Sequence, residues 1–190
     1  AAAAAASCAL TRASNRKADP ERIARSLSQA TTRSPLRMQI EERSDGLVLV
    51  NDCYNANPDS MAAALRTVGD ILTRRADSDP RTRGVAVLGD MLELGEQSAQ
   101  RHRDVGGLAV GRGFDEILCI GQYAEDLAAG AISAGGRARV VTADEAADAV
   151  GWSGHDVVLV KASRGLELER VSERILALSL IHISEPTRLL

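Results

Sequence analysis

Aromatic residues are nearly missing: one Phe, one Trp and two Tyr make up 2% of the 190 residues. The core must therefore be assembled from small aliphatic side chains, and Ala, Gly, Val and Leu are abundant. Cysteine is scarce as well. Cys8, Cys53 and Cys119 are odd in number and widely spaced, which excludes a disulfide framework and points to a reduced, cytoplasmic setting. The same spacing excludes a His/Cys metal site. Cys119 lies in an apolar strand pattern and reads as a buried thiol. There is no positive excess: the net charge is −3, so no nucleic-acid surface is indicated. No apolar run reaches the length of a membrane span. The alanine run at 1–6 lacks the basic start and cleavage pattern of a signal peptide, and no Met precedes it. The expectation is a chain that starts within a longer protein. No GxxxxGK[ST] loop occurs, so a nucleotide's phosphates cannot be cradled in the P-loop manner. No internal repeat is present.

What the chain does contain is an alternation of strand and helix patterns. The length allows one full domain plus a fragment. Residues 1–10 read as the end of a small-residue helix, and Asp19-Pro20-Glu21 starts another, with Ile23 and Leu27 facing inward. Ser34-Pro35-Leu36-Arg37-Met38 breaks helix and opens an extended segment. The patterns predict strands at 37–42, 47–52, 84–88, 116–120, 138–142 and 156–161. They predict helices at 58–75, 96–112, 122–134, 144–150 and 166–177. Apolar strands alternating with helices imply an α/β fold with a mostly parallel sheet covered on both faces.

Three strand ends carry polar clusters, and in a parallel sheet such ends converge on one edge, where ligands bind. The first is Asn51-Asp52-Cys53-Tyr54-Asn55-Ala56-Asn57-Pro58-Asp59. Helix capping explains Asn57, Pro58 and Asp59 completely. It leaves Asp52, Tyr54 and Asn55 unexplained. The second, Gly89-Asp90-Met91-Leu92-Glu93-Leu94-Gly95, offers Asp90 and Glu93 to a ligand or to solvent. The third, Lys161-Ala162-Ser163-Arg164-Gly165, suits a carboxylate or phosphate, and a solvated turn with a capping serine fits equally well. His102 sits alone on a predicted helix, where surface or packing positions are commonest.

Taken together, the Asp52–Asn57-Pro58 string, the Gly89–Gly95 string, His102 with Val105-Gly106, and Val160–Gly165 resemble the Mur ligases, in the family's order and over residues 1–177. Cys53 stands where a serine is commoner in that family. The resemblance implies a Rossmann-like C-terminal domain at 37–177, preceded at 1–36 by a helical remnant of the central ATPase domain. It implies ATP-dependent amide ligation through an acyl phosphate, with Mg2+ in the intact enzyme, in peptidoglycan precursor synthesis. The implied substrates are UDP-N-acetylmuramoyl-tripeptide and D-alanyl-D-alanine; the implied enzyme is a cytoplasmic monomer. By position, Arg37, Asp52, Tyr54, Asn55 and Asn57 approach the nucleotide. Lys161, Ser163 and Arg164 lie where the dipeptide carboxylate is expected, since cations and a hydroxyl suit it, and the charge of Asp90 and Glu93 suits its ammonium end. The phosphate loop and metal ligands of the family have no counterpart here, so the chain alone is expected to be inactive. Residues 178–190 resemble a translated sequencing adapter. Two other readings stay open: a stand-alone nucleotide or small-acid binding module, and a ligase similar to folylpolyglutamate synthase.

Overall fold

The computed structural model describes residues 36–178. The predicted helices before residue 36 and the adapter-like tail beyond residue 178 lie outside the described residues. Six strands form one sheet: β1 (Gln39–Glu42), β2 (Val48–Asn51), β3 (Arg83–Leu88), β4 (Glu116–Cys119), β5 (Arg137–Val140) and β6 (Asp156–Lys161). Their spatial order is β1-β2-β6-β3-β4-β5. β1 pairs antiparallel with β2, and every other pairing is parallel. The helices are α1 (Pro58–Ser78), α2 (Ser98–Gly111), α3 (Ala124–Ser133), α4 (Ala143–Ala146) and α5 (Glu169–Ala177).

The period of two along each strand divides the core. Val50, Ala86, Leu88, Ile117, Val157 and Leu159 pack with Met61, Leu65 and Val68 of α1, Val105 of α2 and Leu127 of α3. Leu49, Val85, Val87, Leu118, Val158 and Val160 pack on the opposite face with Ala146 of α4 and Val171 and Ile175 of α5. Both faces are covered, as continuous apolar strands require. The aliphatic core foreseen from composition holds, with Phe114 its one buried aromatic among the described residues.

Deviations from the predicted boundaries have local causes. β1 starts at Gln39 rather than 37, because Leu36 and Met38 adopt left-handed φ of 63° and 46°. α1 begins at Pro58 under a capping box. Asn57 Oδ1 accepts from the Ser60 N–H at 2.8 Å, and Ser60 Oγ accepts from the Asn57 N–H at 3.0 Å. It runs on past 75 to Ser78 and stops at Asp79, which precedes Pro80 and is pushed to extended backbone. α4 is only four residues long rather than reaching 150, because Trp152 Nε1 donates to the Ala147 carbonyl at 2.6 Å. The predicted 166–177 helix is split: Glu167 at φ 50° separates a 3-10 turn, Arg164–Leu166, from α5.

The amino ends of the parallel strands are pinned structurally. Arg83 donates to both oxygens of buried Asp156 at 2.9 and 2.6 Å, tying the start of β3 to that of β6. The hydrogen bonds to Asp156 raise the Arg83 pKa further.

Candidate functional site

The strand order makes β2, β6 and β3 neighbours. The polar clusters that follow Asn51, Lys161 and Leu88 therefore sit side by side at the carboxyl edge, where the return from β5 to β6 reverses the winding. The loop after β4 joins them. Among the described residues, a shallow cleft of about 640 Å³ between α2 and α3 is lined by Gln100, Arg103, Gly107 and Gly130, among others, and by no residue of the three clusters.

At the β2 end, Asp52 Oδ2 accepts from Lys161 Nζ at 2.6 Å and Oδ1 from the Met38 N–H at 3.1 Å. Lys161 is 1% exposed. It also donates to the carbonyls of Asn55 at 2.8 Å and Asp52 at 3.4 Å. The expectation that Lys161 meets a ligand's carboxylate thus finds its ammonium already enclosed within the chain. Cys53 is buried, its thiol donating to the Val160 carbonyl at 3.4 Å. Burial first, and then the negative charges of Glu169 and Asp52, push that thiol up to about 12.

Tyr54 is 45% exposed, and its N–H donates to the Leu36 carbonyl at 3.0 Å. The Arg37 guanidinium lies over its ring, 4.0 Å from the centroid. Asn55 is exposed, its Oδ1 accepting from the Ala56 N–H. Asn57 is exposed while it caps α1. Arg37 and Tyr54 thus form one exposed cationic and aromatic pair, and Asn55 and Asn57 are exposed in the same loop as Tyr54.

At the β3 end, Asp90 is buried and faces the β4 loop. Its oxygens accept from the N–H groups of Gln122 and Tyr123 at 2.8 and 2.9 Å. Its carbonyl accepts from the Ser163 N–H at 2.9 Å. Gly121, at φ 110°, permits this, since a Cβ there would strike the Asp90 carboxylate. Ser163 is buried too: its hydroxyl accepts from the Leu92 N–H at 3.0 Å and donates to the Ala56 carbonyl at 3.5 Å. Glu93 is exposed at φ 66°. Arg164 is exposed and bonds the Glu169 carboxylate, whose second oxygen is buried without a partner.

His102, left without a role by its sequence position, is fully buried on α2. Its Nδ1–H donates to the Ser98 carbonyl at 2.6 Å and its Nε2 accepts from the Met91 N–H at 2.9 Å. Those contacts select the neutral Nδ1–H tautomer. The ring stacks on Tyr123, centroids 4.6 Å apart. Gln122 and Tyr123, the partners of Asp90, were not singled out from sequence. Gly121 directly after an apolar strand was the available signal.

The expected site residues thus fall into two sets. Asp52, Asp90, Lys161 and Ser163 knit the four loops together. Arg37, Tyr54, Asn55, Asn57, Glu93 and Arg164 face outward. Among the described residues no three His, Cys, Asp or Glu side chains converge as a metal site, so these residues do not by themselves fit Mg2+.

A family profile described as "Mur ligase, glutamate ligase domain" matches residues 36–164. The UDP-N-acetylmuramoyl-tripeptide--D-alanyl-D-alanine ligase of Mycobacterium tuberculosis is 33% identical over 189 residues, covering 90% of this chain and 36% of that protein. The chain therefore spans about a third of the length of the curated relatives it matches. A crystal structure of MurF from Acinetobacter baumannii superposes with a TM-score of 0.71 at 27% identity, over 92% of this chain and 36% of that one. MurF ligase from Thermotoga maritima in complex with ADP gives 0.62 at 26% identity, over 91% and 36%.

Proposed function

The chain belongs to the Mur ligase family, and from that premise we propose that it is the C-terminal part of an enzyme joining D-alanyl-D-alanine to UDP-N-acetylmuramoyl-tripeptide. Residues 1–36 would end the central ATP-binding domain, 37–177 form the C-terminal domain, and 178–190 belong to neither. In the reaction a carboxylate oxygen of the tripeptide attacks the γ-phosphorus of ATP, and ADP leaves. The free amine of the dipeptide then attacks the acyl carbon, inorganic phosphate leaves, and the ammonium proton passes to solvent or base. Mg2+ and the phosphate loop would come from the part of the enzyme that precedes this chain. A magnesium ion there would neutralise charge on the transferred phosphoryl group.

The observation that carries the reading is the carboxyl edge itself, where the motif-bearing loops after β2, β3 and β6 lie together on adjoining strands. Its outward groups match two tasks. Arg37 on Tyr54, with Asn55 and Asn57 exposed in the same loop, suits a nucleotide through cation, ring and amide contacts. Arg164 suits the dipeptide's carboxylate, which would replace Glu169 as its partner, and Glu93 suits the dipeptide's ammonium. Asp52, Asp90, Lys161 and Ser163 serve this site as its frame.

The test is a chimera in which residues 37–177 replace the corresponding domain of the Mycobacterium tuberculosis ligase. Phosphate release from ATP that depends on D-alanyl-D-alanine is the expected result. Release that depends on glutamate instead, or none from a folded chimera, would overturn the substrate assignment.

A further inference from the structure

The end of β6 carries a charge buried more deeply than any ligand contact needs. Lysine has three N–H donors, and three acceptors surround Lys161 Nζ: Asp52 Oδ2, the Asn55 carbonyl and the Asp52 carbonyl. No donor remains for a substrate. The partner carboxylate is equally committed, because Asp52 Oδ1 holds the Met38 N–H across 14 residues of sequence. Met38 and Leu36 both stand in the left-handed region, at φ 46° and 63°. Residues bearing a Cβ stay there only when their surroundings over-determine them. Here the surroundings are the Asp52–Met38 bond, the Tyr54 N–H on the Leu36 carbonyl, and the Arg37 guanidinium over the Tyr54 ring.

We propose that Lys161 is a positioning residue that latches the 36–38 segment. It fixes the Asp52 carboxylate, Asp52 fixes Met38, and the segment between the two left-handed residues presents Arg37 to Tyr54. Lys161 thereby acts on the outward Arg37–Tyr54 pair from β6, through Asp52, without touching what binds there. The latch rests on the ligase reading only in naming Arg37 as a nucleotide-facing group, and it is tested with no ligand present.

The measurement is amide hydrogen exchange by NMR on the 190-residue chain, together with the chemical shift of Arg37 Hε. Three proteins are compared: the wild type, Lys161→Met, and the double variant Asp52→Leu with Lys161→Met. The double variant removes both charges and both polar ends, so it avoids an unpaired buried ion and keeps the fold when the single variant does not. In the wild type the Met38 and Tyr54 amides are protected and Arg37 Hε is shifted by the Tyr54 ring current. In a folded variant those two amides exchange about tenfold faster or more, while β3 and β4 amides stay within about twofold. The Arg37 shift returns to its free value. A core residue without this role would weaken β3 and β4 along with the segment and leave the Arg37 shift in place. That pattern overturns the proposal, as does unchanged protection of Met38 in the double variant.

Discussion

Cys53 and Cys119 lie two residues beyond β2 and at the end of β4, both closed off from solvent. Burial pushes each thiol up to about 12, so neither forms appreciable thiolate at neutral pH. Iodoacetamide at pH 8 is expected to leave both unmodified in the native chain and to label both in denaturant, as peptide mass spectrometry would read. Native labelling of Cys53 would contradict its burial beneath Val160 and beside Lys161. Asp45 behaves oppositely. Its bonds to Arg43 are the main reason its pKa falls from 3.8 to about 2. A depressed carboxylate stabilises the fold above its unfolded pKa, and that contribution disappears as pH falls through the folded value. Thermal melts between pH 5 and pH 2 should therefore drop more steeply for the wild type than for Asp45→Asn across the window from about 4 to about 2. Parallel curves would show that the pair adds nothing, as solvent-screened ion pairs often do. At this scale the sequence was half legible. Asn57, Pro58 and Asp59 announce their capping roles. Lys161 and Ser163 look like ligand groups until their bonds to Asp52, Asn55, Leu92 and Ala56 are seen. Those bonds cross between 71 and 109 residues of sequence, and no local pattern encodes them.

The α2–α3 pair packs closely, and glycine makes it possible. A methyl group at Gly130 would overlap the Arg103 carbonyl, and one at Gly106 would overlap the Leu127 carbonyl. Both neighbours are backbone, which cannot swing aside. Gly130→Ala should lower stability by ~2–3 kcal/mol, the cost of forcing packed backbones apart. Urea unfolding with an unchanged m-value is the check. A gain in stability, the usual result of Gly→Ala in an uncrowded helix, would mean the helices sit farther apart. Among the described residues the types of the main elements were readable, because a period of two or 3.6 depends only on which face is buried. Element ends were less so. α4 stops early on account of the Trp152 side chain, and β1 starts late because Met38 is held by Asp52, both distant causes.

The described residues form a sheet covered on both faces, with polar loops along its carboxyl edge, and among them no helix is long and apolar enough to cross a membrane. Its loops supply cations, amides and a tyrosine but no phosphate loop. The purified 190-residue chain is expected to release no phosphate from ATP with D-alanyl-D-alanine, measured by a coupled phosphate assay. Turnover above background would mean that this chain carries a complete catalytic centre. The sequence by itself determined the α/β alternation, the aliphatic core, the capped start of α1 and the three strand-end motifs that, with His102, resemble the family's. These follow from periodicity, composition and short-range chemistry. Only the tertiary structure decided that β6 inserts between β2 and β3, bringing those motifs side by side. It also decided which polar groups face outward and which bind one another. That division is set by pairings between strands far apart in the chain, where a buried charge must find its partner or not be buried at all.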